Sequence, residues 1–591
     1  MLESLRNSSV SVAVVSLCML IATARVLWSD ATIPQGFDEP CHIAAGMKWL
    51  DKHDYSLDSV HPPLSRDAIA LPLYVAGSRL PEIKRENLLI NGYCTILGNA
   101  ILNAGGHYTR NLLLARIGIL PFMWAILILA YLWTRQEFGP VAGYLSIALL
   151  STVPGLLAFS SLAYTDLPTA CAQFACLYAF YMWLKNPSVR RALILGMAAG
   201  IALSSKLTSG PFLAVACSAM LILWCSSSPD RTKAIREAAV PHFAMALGIS
   251  IIVFWGFYDF STGHIQDALR IDSLKPAALS GAGGSIAQRL LHNDPVIPAP
   301  DLVRGVRLIV SMNKAAPECY LLGRSKPGGW WYFFPVALGM KTPIPLMVLA
   351  LIGCLIPIVR RDINRQEALT PALAILAIFF LTSFVSVRVG TRHVLVVEPL
   401  LAVLAGSGGA LLWKSRGSSL IVGRVVLILL LLWQLVATVR AQGDFVGYFN
   451  EFAPSDASMA LIKGCDLDCG QDLFRLTRKL RSLHASHVNV GVWSSTDLAN
   501  LDLPPFEVLQ PYTPVSGWVA VSVRALRTGQ VVMCDRGQIF PTAPNPPDML
   551  SWLKAYTPVA QIGKTILLYN IPDGQLQNVD SIHTERRTEH D

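Results

Sequence analysis

The chain has 591 residues, of which 53% are apolar and only 15% charged, against roughly a quarter charged in an ordinary soluble domain. With a mean hydropathy of +0.46, that balance excludes a soluble enzyme, because helices apolar on every face need a bilayer as their solvent. The formal charge of +9 would suggest nucleic acid in a soluble chain. Here Lys and Arg are expected to mark cytoplasmic loops, and a nucleic-acid partner is disfavoured.

Eleven windows carry few or no charges and are long enough to cross a bilayer. They fall near 9–28, 110–133, 141–160, 166–184, 192–207, 211–226, 240–260, 340–359, 370–387, 393–413 and 425–440. The first resembles a signal peptide, with Arg6 before an apolar run and Ala22-Thr23-Ala24 as a small-residue site, but is read as an uncleaved anchor. Cations cluster on alternate loops: Lys185, Arg190 and Arg191; Arg231, Lys233 and Arg236; Arg360, Arg361 and Arg365; Lys414, Arg416 and Arg424. Placing all four clusters in the cytoplasm puts residues 29–109, 261–339 and 441–591 on the outer face. Six of the twelve cysteines, Cys41, Cys94, Cys319, Cys465, Cys469 and Cys534, then lie where disulfides are allowed, with the pairing left open.

The predicted organisation is a polytopic α-helical membrane module over 1–440, an exterior α/β domain over 441–575 and a disordered tail over 576–591. In the exterior domain, strands are expected at Val488–Val492, Phe506–Leu509 and Trp518–Val523, helices at Leu473–Leu483 and Met549–Tyr556, and a last strand within 563–569.

The first exterior loop is dense in ionisable groups beside a membrane span: Asp38, Glu39, His42, Asp51, His53, Asp54, Asp58, His61, Arg66 and Asp67. Adjacent Asp38 and Glu39 form a like-charge pair in which one carboxyl is expected to have a raised pKa suited to taking a proton. The same residues also suit the first turn of a helix running to Leu50. In His61-Pro62-Pro63-Leu64 the prolines stiffen the backbone and fix the direction of the imidazole. Further charges sit at or inside span ends: Asp166, Lys206, Lys341, Arg388, Arg392, His393 and Glu398. Such groups are costly in lipid and seldom idle, and converging cations suit a phosphate at membrane level. A divalent metal at His42 or His61 with a carboxylate is admitted, though the spacing fits no standard zinc pattern. The competing reading is a secondary transporter coupled through Asp166 and Glu398.

Asp38-Glu39-Pro-Cys-His42, His61-Pro-Pro-Leu64, Tyr164-Thr-Asp166, the Lys206 segment, Tyr320-Leu-Leu-Gly323 with Trp330-Trp-Tyr332, Lys341-Thr-Pro343, Arg392-His393 and Tyr448-Phe-Asn450 occur in this order along the chain. In that order they resemble the polyprenyl-phosphate-dependent GT-C glycosyltransferases of the family 39-like, bacterial type, related to protein O-mannosyltransferases and aminoarabinose transferases. Asp466 to Leu473 also resembles a stretch that follows the last span of that family, with Cys469 where Trp is expected. The resemblance implies inverting transfer of a sugar from a polyprenyl-phosphate donor to a hydroxyl of a protein, lipid or glycan. It implies a bacterial inner membrane, with the active site facing the periplasm. Asp38 takes the position of the catalytic carboxylate, with Glu39 orienting or tuning it. The donor phosphate would be held by Lys206, Lys341, Arg392, His393 and His61. His42, Arg66, Asp166 and Glu398 are further site candidates; no nucleotide-sugar site is needed, and no cofactor is assigned beyond the divalent metal admitted above.

Overall fold

The computed structural model describes residues 2–83, 90–226, 229–269, 293–360, 363–414, 419–461, 464–540, 546 and 548–575. The expected tail at 576–591, and Arg361 and Arg416 of the cationic clusters, lie outside the described residues.

The chain is a multi-pass membrane protein with a C-terminal sheet region. Every predicted window coincides with helix, but not all as single spans. Among the described residues, six helices are long and apolar enough to cross a bilayer: Ser9–Asp30, Tyr108–Phe138, Asp166–Lys185, Ile235–Phe257, Arg365–Thr382 and Ser419–Arg440. Two further windows are bent pairs, Pro140–Leu150 with Pro154–Ser160 at 61° and Phe333–Lys341 with Ile344–Val359 at 117°. Counting each pair as one span gives eight by length and composition, fewer than the eleven expected. The breaks come from proline: Val153 precedes Pro154 and Thr342 precedes Pro343, and both are extended, as a residue before proline must tend to be. The remaining windows are the 17-residue helices Val189–Ser205, Ser209–Cys225 and Val397–Trp413, each about 25 Å long and at the short limit for a span.

The first loop folds into three helices, Glu39–Lys52, Pro63–Val75 and Ile90–Asn103. Pro40 near the start of the first needs no hydrogen bond there, and the Pro62-Pro63 pair opens the second. A disulfide joins Cys41 to Cys94, Cα to Cα 4.7 Å, so the first helix is stapled to the third. Gly98 faces the Pro40 carbonyl so closely that any Cβ would collide with it. The second disulfide, Cys465–Cys469, closes a short turn after the last helix of the membrane module. All four bridged cysteines belong to segments read as exterior.

The C-terminal region has its own core, centred on Leu473, Leu476, Val490, Val519, Leu553 and Leu568. A five-stranded sheet runs in the order Ala560–Ile562, Ile566–Ile571, Gly517–Ser522, Val488–Gly491, Phe506–Val508. Ile566–Ile571 is antiparallel to both its neighbours, and Val488–Gly491 is parallel to both of its own. A smaller sheet pairs Trp493–Asp497 with Val532–Asp535 in parallel. The expected strands therefore form, as does the helix Leu473–Ser482. Met549–Tyr556 forms only a short 3-10 turn, Ser551–Ala555, with Trp552 and Leu553 buried. This region packs on the loop that carries Asp38: Phe37 stacks on Trp493 at 4.3 Å, and Gln35 and Asn99 side chains donate to the Ser495 carbonyl.

Candidate active site

A cavity of about 740 Å³ opens where the first loop meets the ends of several membrane helices. Its polar end holds Asp38, His42, Asp58, His61, Asp166, Lys206, Arg392 and His393. Its other walls are apolar, with Phe212 from one membrane helix, Leu381 from another, and Val306, Ile309 and Val310 from the amphipathic helix Pro300–Lys314. Asp166 opens its helix, Lys206 follows the end of Val189–Ser205, and Arg392 lies in the turn before Val397–Trp413. The site therefore gathers at the helix ends opposite the cationic clusters.

Asp38 sits just before the helix Glu39–Lys52, and its backbone N–H donates to the Tyr164 hydroxyl at 3.0 Å. Its carboxylate accepts a 2.6 Å bond from Arg392 Nη1. Burial pushes the Asp38 carboxyl up, but the charges of Arg392 and His42 outweigh burial and hold it below its ordinary value. The raised pKa expected of the Asp38-Glu39 pair is therefore not found at Asp38. Arg392 also lies 3.7 Å from Asp166, whose other oxygen accepts a 2.6 Å bond from Lys206. Asp38, Arg392, Asp166 and Lys206 thus form one alternating chain of charges along the cavity.

Backbone geometry explains how Arg392 reaches this place. Gly390 has φ +98°, and the Asp466 carboxylate packs where its Cβ would stand. Asp466 then accepts from the Thr391 N–H at 2.9 Å and the Thr391 hydroxyl at 2.8 Å, fixing the turn that carries Arg392. His61 Nδ1 lies 2.8 Å from Asp58 Oδ2, and burial, only partly opposed by Asp58, holds its imidazole below its ordinary pKa. Ser65 donates to the Ser205 carbonyl, tying the His61 segment to the backbone beside Lys206.

Several expected site residues fall elsewhere. Glu39 is fully buried and faces away from the cavity: its carboxylate accepts from Arg116 Nε and Nη2, both at 2.9 Å, and from the backbone N–H groups of Gly36 and Ala163. It fixes the loop on either side of Asp38 instead of facing a reacting group, because Arg116 reaches it from the membrane helix Tyr108–Phe138. Lys341 is also absent from the cavity lining. Its ammonium donates to the Val446 and Asp466 carbonyls and lies 4.3 Å from the Phe449 ring centroid, since the break before Pro343 turns it towards the segment after the last span. Glu398 packs against Gly155 outside the cavity, so the two carboxylates of the transporter reading do not share a site. Arg66 donates to the Asp58 carbonyl at 2.8 Å and supports the loop from behind. Arg116 and Tyr164 were missed as structural partners of the site. A cation inside an apolar window was the available signal for Arg116; Tyr164 stood in the sequence only as part of Tyr164-Thr-Asp166, with no role of its own.

Residues 110–257, about a quarter of the chain, match the family model described as dolichyl-phosphate-mannose-protein mannosyltransferase. That segment holds Arg116, Tyr164, Asp166 and Lys206. No curated protein is significantly similar in sequence. Among solved structures, the chain is similar to the apo oligosaccharyltransferase of Archaeoglobus fulgidus, with TM-score 0.48 and 12% identity over 88% of this chain and 70% of that one. It is similar also to ArnT from Cupriavidus metallidurans bound to undecaprenyl phosphate, with TM-score 0.46 and 13% identity over 94% and 97%. The oligosaccharyltransferase AglB of A. fulgidus, in complex with an inhibitory peptide and a dolichol-phosphate, aligns with TM-score 0.45 and 12% identity over 83% and 63%.

Proposed function

We propose that this protein is a GT-C type membrane glycosyltransferase that moves a sugar from a polyprenyl-phosphate donor to an acceptor hydroxyl of a protein, lipid or glycan, with inversion. The observation that carries the reading is the two-sided cavity, apolar along its membrane-helix walls and ionic at the end where Asp38, Arg392 and Lys206 meet. A polyprenyl chain suits the apolar walls, and its phosphate suits the two cations. The acceptor oxygen attacks the anomeric carbon while Asp38 takes its proton, and the bond from that carbon to the phosphate oxygen breaks, with the electron pair leaving on the phosphate. Arg392 and Lys206 stabilise the charge that develops there. Arg392 is shared: while it is bonded to Asp38 the carboxylate is a weak base, and drawing it to the phosphate restores the basicity of Asp38. His393 and His61 line the phosphate end. The reading places the cavity on the outer face of a bacterial inner membrane, and it leaves room for a divalent metal.

The test incubates purified protein with radiolabelled polyprenyl-phosphate sugars and candidate acceptors. Transfer that disappears in Asp38→Asn supports the reading; no transfer from any polyprenyl-phosphate sugar by the parent protein counts against it.

A further inference from the structure

A second group of residues lies outside the charge chain at the cavity. His42, Asp58 and His61 stand beside it, and their potential ligand atoms all lie within 4.8 Å of one another. We propose that these three side chains form a binding site for a divalent transition-metal ion of the zinc or cobalt class, with its open position facing the cavity.

Geometry makes the first argument. Ligands about 2.0–2.2 Å from a tetrahedral ion stand roughly 3.3 Å apart. His61 Nδ1 and His42 Nδ1 lie 2.8 Å and 3.6 Å from Asp58 Oδ2, bracketing that spacing. The two imidazole rings meet edge to face at 4.8 Å, so they approach the carboxylate from different directions.

The second argument is an unmet polar atom. His42 is 4% exposed and, among the described residues, its Nδ1 has no partner within hydrogen-bond distance, the Asp58 carboxylate standing off at 3.6 Å, although a buried ring nitrogen normally finds one. A metal ion would satisfy it. Two imidazoles and one carboxylate suit zinc or cobalt better than magnesium or calcium, which prefer all-oxygen sites. The bridged Cys41 and Cys94 line the same cavity but offer no thiolate.

Charge balance supplies the third. The ionised side chains lining the cavity are three carboxylates, Asp38, Asp58 and Asp166, against three cations, Lys206, Arg392 and the exposed Lys314. The carboxylates thus offset the cations that a phosphate needs. A divalent ion adds positive charge at that end, which suits an anionic phosphodiester such as a sugar linked to a polyprenyl phosphate. This last step rests on the transfer reading above; the metal site itself does not.

The experiment uses full-length protein in detergent, stripped with chelator and titrated with cobalt(II) while visible absorption is recorded, with zinc titrated calorimetrically in parallel. One ion per chain with tetrahedral cobalt bands is expected. His42→Gln and His61→Gln should each weaken binding more than about 100-fold, beyond the about 10–100-fold typical of residues that merely buttress a ligand. Asp38→Asn should retain the cobalt spectrum while losing transfer, so failure of the metal site and failure of the transfer reading are told apart. The proposal is overturned if the parent binds no stoichiometric ion. It is equally overturned if both histidine variants, eluting as the parent does on size exclusion, bind the ion as tightly as the parent.

Discussion

Two neighbouring acidic residues lead opposite lives. Asp38 is 30% exposed at the edge of the cavity and holds one bond to an arginine that is itself 13% exposed. Glu39 and its partner Arg116 are fully buried, and the carboxylate has four donors. An ion pair open to a cavity can exchange partners when a ligand arrives. One sealed by packing cannot, and serves to hold the backbone that presents the first. The same contrast separates Arg392 from Lys341, whose ammonium is spent on two carbonyls and an aromatic face.

The largest effect should come from breaking each pair in turn. Asp38→Asn is expected to lower transfer by about 10²–10⁴-fold, as for loss of a general base, with the unfolding temperature close to that of the parent. Arg116→Met should strand the Glu39 carboxylate and cost about 3–5 kcal/mol of stability, measured by thermal unfolding in detergent. If Arg116→Met leaves stability unchanged, the sealed pair is not what holds the loop.

Next comes donor affinity. Arg392→Lys removes a planar fork that can hold phosphate and, with charge-assisted bonds contributing about 1.5–3 kcal/mol, should weaken polyprenyl-phosphate binding by roughly ten- to a hundredfold. Lys341→Met should leave that affinity within about twofold, because Lys341 does not line the cavity. Equal losses in the two variants would place Lys341 at the phosphate after all.

The disulfides sharpen the comparison at smaller scale. Cys41–Cys94 closes 53 residues and Cys465–Cys469 closes 4, so chain entropy predicts about 4 kcal/mol for the first and about 2 kcal/mol for the second. Chemical or thermal unfolding of Cys41→Ser and Cys465→Ser should show that order.

The smallest effect concerns pH. Burial pushes the Asp468 carboxyl up to about 7 against the pull of Arg524, with Asp472 adding to the rise. A carboxyl raised on folding binds its proton more tightly in the folded state, so its contribution to stability falls as pH rises from about 4 to about 7 and is flat above. Asp468→Asn should therefore stabilise the protein more at pH 8 than at pH 5, read as the difference in unfolding temperature.

Much of this was legible in the chain. Apolar windows are a local property, and each became helix; alternation in Val488–Val492 and Trp518–Val523 likewise gave strands. Asp166, Lys206 and Arg392 could be singled out because a charge at a span end is conspicuous. Pro343 stands inside the apolar window 340–359, but the turn that it makes, and with it the removal of Lys341 from the cavity, depends on the packing around it.

Composition and patterning by themselves determined a membrane-embedded helical module, a separate sheet-forming C-terminus and a short roster of costly charges, because each depends on residues close in sequence. Only the tertiary structure decided which charge faces which. Asp38 meets Arg392 across 354 residues and Glu39 meets Arg116 across 77. Neither pairing leaves a periodic trace in the sequence, since the energy of a buried charge depends on what surrounds it in space.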